Sequence, residues 1–208
     1  MTAGIEKGIV SRCDDVYECF PDLTMAQDGG LYLIAHIHAN GQGWRMFSWR
    51  SFDAGATWDG PQDVVLKSPA VVSSLTQLAD GRLLLGLVID TKPGGNPKES
   101  YRPAVFFSDD SGKTWSKPTM LPANDDYLPD EVSVVELDDG TLVGFGRNYA
   151  LEMKGRPNVT ACKVISKDGG RTWAGPFDTW LVGCTGRPKA ALLHSGEVCI
   201  TYRCGTSQ

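Results

Sequence analysis

The strongest constraint on this chain is an eight-residue pattern, S-x-D-x-G-x-T-W, that occurs three times. The copies are Ser51-Phe52-Asp53-Ala54-Gly55-Ala56-Thr57-Trp58, Ser108-Asp109-Asp110-Ser111-Gly112-Lys113-Thr114-Trp115 and Ser166-Lys167-Asp168-Gly169-Gly170-Arg171-Thr172-Trp173. Their opening serines, Ser51, Ser108 and Ser166, are almost evenly spaced. A constant period of this order marks a repeat architecture, in which each unit buries its apolar face only by stacking on a neighbour. A second marker keeps the same beat. Turn glycines stand at Gly29, Gly81, Gly140 and Gly196, the first three of them preceded by Asp.

The repeated box has a local physical reading. An Asp side chain accepts backbone N–H bonds from its own turn, and Gly supplies a positive φ. Ser and Thr hydroxyls tie loop ends to the backbone. Trp adds a large apolar body that anchors the turn against its sheet. Asp53, Trp58, Asp110, Trp115, Asp168 and Trp173 are therefore read as structural, with each Trp expected to be largely buried. A metal or substrate loop is the functional alternative, since Asp, Ser and Thr are all oxygen donors. Three equal copies argue for scaffold, because an active site is normally unique.

The chain between the markers reads as short strands. Ile5–Val10 is a candidate strand. A hairpin follows over Phe20–His36, then strands at Arg45–Arg50 and Asp63–Leu66. The cycle repeats with Val72–Leu78, Arg82–Ile89 and Ala104–Ser108, and again with Val132–Leu137, Thr141–Phe145 and Thr160–Ser166. Ala190–Leu193 and Val198–Tyr202 begin a fourth cycle. The expected fold is all-β: a β-propeller of four-stranded antiparallel blades, about three and a half of them. We expect one domain over residues 1–208, with units near 12–66, 67–121, 127–182 and 187–208.

Composition removes several functions. The net charge is −5 and no basic stripe is visible, which argues against a nucleic-acid partner. No apolar run approaches the roughly 20 residues that a membrane-spanning helix needs. Six cysteines, at 13, 19, 162, 184, 199 and 204, show neither C-x-x-C nor zinc spacing. No metal or cofactor is expected. Free, mostly buried thiols are the first reading, with Cys13–Cys19 or Cys199–Cys204 disulfides left open for an exported protein. The first residues lack a signal-peptide core, which favours the cytoplasm; secretion after signal removal stays open.

Blade topology converts spacing into geometry. First strands run down from the top face to the turn glycine, and second strands return. Seven residues past each turn glycine stand His36, Val88, Arg147 and Arg203; nine before stand Phe20, Val72, Glu131 and Arg187. The top face thus gathers Asp14, Asp15, Glu18, Asp22, His36, His38, Asp125, Asp126, Tyr127, Asp130, Glu131, Arg147, Arg187 and Arg203. Arginines beside carboxylates near an axis suit recognition of a carboxylated sugar, since the guanidinium forks onto a carboxylate. The bland alternative is a solvated rim of ion pairs worth about 0–1 kcal/mol each.

The three boxes resemble the Asp-box, or bacterial neuraminidase repeat, of sialidases and related β-propellers. That resemblance implies boxes on the face opposite the active site and a ring of six blades, for which about 330 residues are needed at this period. The chain is accordingly read as a piece of a longer propeller or a subunit completed by a second copy, and self-association through its open ends is expected. The run from Glu131 through Asp139-Gly140 to Arg147 is similar to a sialidase segment. In the family that Glu polarises a tyrosine nucleophile and that Arg is one of three gripping the sialic acid carboxylate. The family's Arg-Ile-Pro appears here as Cys19-Phe20-Pro21, and the loop His36–Gly43 has no Asp where the family keeps its acid. The family's tyrosine and last arginine belong to later blades.

Three functions stay open at this point. The first is a sialidase-like glycoside hydrolase, or part of one, acting on terminal acidic sugars. Its catalytic candidates are Glu131 and Asp22, and its substrate-binding candidates are Arg147, Arg187, Arg203, His36 and Tyr127. The second is a non-catalytic propeller binding a glycan, glycoconjugate or protein on its top face. The third is a glycosidase of other specificity using two carboxylates such as Asp22 and Glu131.

Overall fold

The computed structural model describes residues 16–39, 43–64, 70–92, 96, 100–150 and 160–205. Fourteen strands form four antiparallel sheets among these residues. The first sheet holds β1 (Val16–Met25), β2 (Leu31–Ala39), β3 (Gly43–Ser51) and β4 (Asp59–Asp63). The second holds β5 (Ala70–Gln77), β6 (Leu83–Asp90), β7 (Tyr101–Ser108) and β8 (Thr119–Met120). The third holds β9 (Pro129–Glu136), β10 (Leu142–Asn148), β11 (Thr160–Ser166) and β12 (Ala174–Val182). A hairpin of β13 (Cys184–Leu192) and β14 (Val198–Cys204) follows. This is the all-β, four-stranded blade architecture expected from the repeat.

One detail of the strand reading changes. The fourth strand of the first blade starts directly after Trp58 and runs over Asp59–Asp63, so it opens earlier than the expected start at Asp63; Val65 and Leu66 lie outside the described residues. Its pairing with β3 begins at Arg50↔Asp59, so the box itself is the whole connection. The strand expected at Ile5–Val10 lies outside the described residues.

Blades stack face to face, and the alternation of side chains along the inner strands shows how. On β6, Leu83, Leu85, Leu87 and Ile89 point to the first blade and join Tyr32, Ile34 and Met46 in one apolar cluster. Leu84 points the other way, to Val132, Val134, Leu142 and Val164 of the third blade. A strand covered on both faces reads as an unbroken apolar run, which is why Leu83–Ile89 shows no alternation. Val135 and Val143 continue the stack onto Ala190 of the hairpin. Fully burying each such side chain contributes about 1.5–3 kcal/mol. Gly86 marks how close the blades approach: a Cβ there would sit 2.7 Å from the Val132 carbonyl oxygen.

The three boxes fold alike. The Ser hydroxyl donates to Asp Oδ1 at 2.8 Å in each, and the Thr hydroxyl donates to Asp Oδ2 at 2.6 Å in each. The Thr backbone N–H donates to Oδ1 at 2.8, 2.8 and 2.9 Å. Four residues after each Ser, a Gly N–H returns to its hydroxyl. These bonds favour the ionised carboxylate. The Thr hydroxyl first, and the Thr N–H second, hold Asp53 and Asp168 down at about 2. Asp110 is held lower still, for the same reasons. The tryptophans are partly buried, each less completely than a core residue. Trp58, Trp115 and Trp173 lie over their own turns, and Trp115 and Trp173 also pack against the apolar clusters between blades. Trp58 and Trp173 donate their indole N–H to Gly55 and Gly170 carbonyls at 3.1 and 3.0 Å. The Trp115 N–H is buried and has no protein acceptor.

Candidate functional site

At the end away from the boxes, every inner strand carries the same irregularity. The register pairs Cys19↔His36, Val71↔Val88, Asp130↔Arg147 and Gly186↔Arg203 occupy equivalent places in the four sheets. Just below each, the inner strand holds one residue more than its partner. Phe20 and Pro21 lie opposite Ala35; Glu131 and Val132 lie opposite Gly146; Arg187 and Pro188 lie opposite Tyr202. The second sheet slips by the single residue Ser73. Such bulges bend the strand and re-aim a side chain. Here they hold Glu131 at φ 50° and Arg187 at φ 31°, a region that residues with a Cβ rarely occupy. Strain of that kind concentrates at functional sites.

The bulge in the third sheet builds a dense ionic cluster on the top face. Arg147 places Nη2 at 2.5 Å and Nε at 2.9 Å from Asp130 Oδ2, and Nε at 3.2 Å from Glu131. Its guanidinium lies 5.1 Å from the centre of the Tyr149 ring. Glu131 also accepts the Arg187 backbone N–H at 2.8 Å, which joins the third blade to the hairpin. Asp130 is buried, and Glu131 and Arg147 are only slightly exposed. Burial pushes the Asp130 carboxyl up, the adjacent Arg147 pulls it down, and Glu131 pushes it up again; the net direction is upward. Sequence places Asp130 on the top face but gives it no role. Its partnership with Arg147 has no local signal, because only the bulge turns both carboxylates onto one guanidinium.

The other candidates are distributed around this cluster. Arg187 reaches the Ser73 carbonyl at 3.4 Å, and Arg203 donates to the Thr185 carbonyl at 2.7 Å. Both line a groove of about 360 Å3 with Gly186, Thr201 and Tyr202. Tyr127 is half-buried in the loop before β9, and burial followed by the Asp178 charge raises its phenol. His36 lies within β2, but its side chain falls outside the described residues, as do Asp14, Asp15 and the side chain of Cys19.

Asp22 belongs to a different pattern. It stands seven residues before its turn glycine, as do Ser74, Ser133 and Lys189. These four positions stitch inner strands together. Asp22 accepts the Leu75 N–H at 2.6 Å, Ser133 accepts the Ala190 N–H at 3.1 Å, and Ser74 donates to the Val132 carbonyl at 2.9 Å. Lys189 reaches from the hairpin to both Asp22 oxygens, at 2.8 and 2.7 Å. The carboxylate that sequence offers as catalytic is thus held by a backbone N–H and an ammonium. Sequence misses Lys189 because nothing around it indicates which strand it faces.

The cysteines settle one open pairing. Cys199 and Cys204 are both free thiols on the single strand β14, and Cys204 faces Cys184 across the hairpin while Cys199 faces Ala191. A Cys199–Cys204 disulfide is excluded by that register, since residues five apart on one strand stand about 16 Å apart. Cys162 and Cys184 are buried, as expected of free thiols, but Cys199 and Cys204 are exposed. Desolvation pushes the Cys162 thiol far up. Cys13–Cys19 lies outside the described residues. Among the described residues, no group of three or more His, Cys, Asp or Glu side chains is placed to hold a metal ion, and no helix is long and apolar enough to cross a membrane.

Known proteins share this fold. A curated sialidase of Paraclostridium sordellii is 24% identical over 186 residues, covering 76% of this chain and 45% of its own length. The Trypanosoma rangeli sialidase in complex with sialic acid aligns with TM-score 0.61 and 20% identity, over 90% of this chain and 34% of that one. The Penicillium chrysogenum α-L-arabinanase complexed with arabinobiose aligns with TM-score 0.65 and 16% identity, over 89% and 57%. The chain spans about half the length of the curated sialidase it matches. The BNR repeat-like domain model matches residues 14–205, nearly the whole chain and all three boxes. The chain belongs to the BNR repeat-like domain family, whose blades carry the Asp-box turn.

Proposed function

We propose that this chain forms the Glu131–Arg147 part of a sialidase-like glycoside hydrolase site for terminal acidic sugars. The observation that carries the reading is the contact of Glu131 with Arg147 at the strained bulge. The equivalent first-strand and second-strand positions hold Val72 and Val88 in the second blade and Phe20 and His36 in the first. The third blade and the hairpin, with Arg187 and Arg203, concentrate the charge there. Arg147 recognises the carboxylate of the sugar, with Arg187 and Arg203 on the adjoining strands. Asp130 fixes the guanidinium from behind. Following the family resemblance, Glu131 polarises a tyrosine nucleophile carried by another part of the ring, and hydrolysis proceeds through an oxocarbenium-like transition state.

The test is binding first, turnover second. N-acetylneuraminic acid should bind the 208-residue chain weakly, and Arg147→Ala should remove that binding. A fluorogenic sialoside should not be turned over by this chain alone. Binding that survives Arg147→Ala unchanged would overturn the reading. Sustained turnover abolished by Glu131→Gln would show instead that these blades already hold a complete site.

A non-catalytic, glycan-binding propeller is the second reading. It is favoured by Cys19 standing where the family has arginine, and by the full engagement of Asp22 by Lys189 and Leu75. Retained sugar binding without turnover in any longer form would select it. Either reading includes self-association. Leu23 and Met25 on β1 are exposed, and β14 has no further strand on its outer edge among the described residues. Apolar surface and open edges of this kind are association sites. Light scattering with size exclusion over a concentration series should show a species above 22.5 kDa. A monodisperse monomer at high concentration would remove this part of the proposal.

A further inference from the structure

We infer that Tyr149 and Tyr101 are positioning residues for Arg147, and that through them the second blade becomes part of the anion-binding centre of the third. Three groups lie in one stack. The Arg147 guanidinium stands 5.1 Å from the centre of the Tyr149 ring. The Tyr149 ring stands 6.5 Å from the Tyr101 ring, with 22° between their planes. Tyr149 follows β10, which carries Arg147, whereas Tyr101 opens β7 of the neighbouring sheet. The stack therefore crosses from one blade to the next. It caps the interface that Leu84, Val105, Val132 and Leu142 close between the two blades, so no open sheet edge enters the argument.

Both rings hang from pinned backbone. Asn148 is fully buried and bridges two groups of the loop before β9. Its Oδ1 accepts the Leu128 N–H at 3.1 Å, and its Nδ2 donates to the Asp126 carbonyl at 2.8 Å. A buried amide is tolerated where its bonds are made, and here they tie down the residue between Arg147 and Tyr149. The Tyr149 N–H then donates to the Leu128 carbonyl at 3.0 Å. In the second blade, Tyr101 pairs with Asp90 across β6 and β7. The Ser100 carbonyl beside it accepts both the N–H and the hydroxyl of Thr91, each at 2.8 Å. Arg102 donates to the Tyr101 carbonyl at 2.7 Å.

A guanidinium is a planar ion with an edge and a face, and each needs its own restraint. Asp130 and Glu131 hold the edge, through Nε and Nη2. Those bonds still leave the plane able to tilt about them. The negative face of the Tyr149 ring supplies the second restraint, since it attracts a cation within about 6 Å of its centre. The Arg147 side chain is only 17% exposed, and such a contact strengthens as water is removed. Tyr101 in turn keeps the Tyr149 ring in place, because offset aromatic pairs attract at centre separations of about 4.5–7 Å. Bidentate recognition of a carboxylate requires the guanidinium plane to be aimed, so a tilt costs affinity. The inference rests on the proposed acidic-sugar reading for what Arg147 binds; the stack itself stands without it.

The experiment uses the 208-residue chain and follows two readouts. One is the Arg147 Nε–H resonance in NMR, assigned by its loss in Arg147→Lys. The other is binding of N-acetylneuraminic acid. In the unaltered chain the ring current of Tyr149 should move the Arg147 side-chain protons upfield of their ordinary positions. Ordinary positions would overturn the inference, and this measurement needs no variant to fold. Tyr149→Leu should return the resonance and weaken sugar binding by about tenfold; Tyr101→Leu should do both in part, with about threefold weaker binding. Tyr149→Phe and Tyr101→Phe keep the rings and should keep both readouts. A loss in the Phe variants equal to that in the Leu variants would also overturn the inference, because a hydroxyl contact would then be the cause. The two readings fail separately. Absent sugar binding, with the resonance moved in the Leu variants, removes the acidic-sugar reading and leaves the stack. Binding that is lost in Arg147→Ala yet indifferent to both Leu variants removes the positioning role and leaves the acidic-sugar reading.

Discussion

The two ends of these blades use equivalent positions in opposite ways. At the box end, three turns repeat the same residues with nearly coincident bond lengths. At the other end, the bulged positions repeat their backbone but not their chemistry: Phe20, then Val72 beside the slip at Ser73, then Glu131, then Arg187. Sameness marks what every blade needs in order to fold. Difference on a shared backbone marks what the ring as a whole does with one blade. The charge environments diverge as well. Box carboxylates are surrounded by donors and stay ionised far into acid, whereas Asp130 is buried and resists ionisation.

Mutation should separate the two ends most sharply at the tryptophans. Trp115→Ala should cost about 3 kcal/mol, the low end for a large aromatic because the ring is half-buried. Arg203→Ala at the exposed top should stay within about 0.5 kcal/mol. Urea titration measures both; equal costs would dissolve the distinction between scaffold and site.

Acid titration of stability should show opposite signs at the two ends. A box Asp has a folded value near 2 against an ordinary 3.8, so its contribution is complete above about pH 4 and is lost as pH falls toward 2. Asp53→Asn, Asp110→Asn and Asp168→Asn should each flatten that acid limb. Asp130 has a raised folded value, so its ionisation penalises the folded state as pH rises above 3.8. Asp130→Asn should remove a decline on that side and leave the acid limb intact. The same sign at both ends would show that Asp130 is not desolvated as its burial indicates.

A finer comparison lies within the boxes. Trp58→Phe and Trp173→Phe delete an indole hydrogen bond, whereas Trp115→Phe deletes none and relieves a buried N–H. The first two should cost about 0.5–1.5 kcal/mol more than the third. Thermal melts of the three variants decide whether the boxes are energetically as equal as they look. The smallest effect belongs to Lys189→Met. Its side chain is 40% exposed, so the ion pair with Asp22 should contribute only about 0.2–1 kcal/mol and weaken with salt. A loss several times larger would make the stitch a structural keystone of the hairpin.

Much of the scaffold is legible without coordinates. The boxes, turn glycines and strands come from local chemistry repeated at one period, and repetition raises a weak signal above chance. Glu131 and Arg147 are legible as a pair because they flank one hairpin, so their proximity follows from strand pairing alone. The roles of Asp130, Lys189 and Tyr101 are not. Asp130 depends on a bulge, and one inserted residue reverses which face a side chain takes. Tyr101 depends on how the second blade meets the third. Lys189 depends on reaching a strand 167 residues away in sequence, a contact that no local pattern encodes. The half-burial of the box tryptophans is also hidden, because residue type implies an apolar anchor but not how much of it the turn leaves uncovered.

The sequence by itself determined the repeat, the four-stranded unit and the end of the blade where charge collects, since each follows from contacts a few residues long. The tertiary structure decided which carboxylate holds Arg147, that Asp22 is a stitch between blades, and that a tyrosine of the second blade stacks on the ring beside Arg147. Those outcomes depend on register and on the approach of separate blades, where a shift of one residue changes the partner while leaving the local sequence the same.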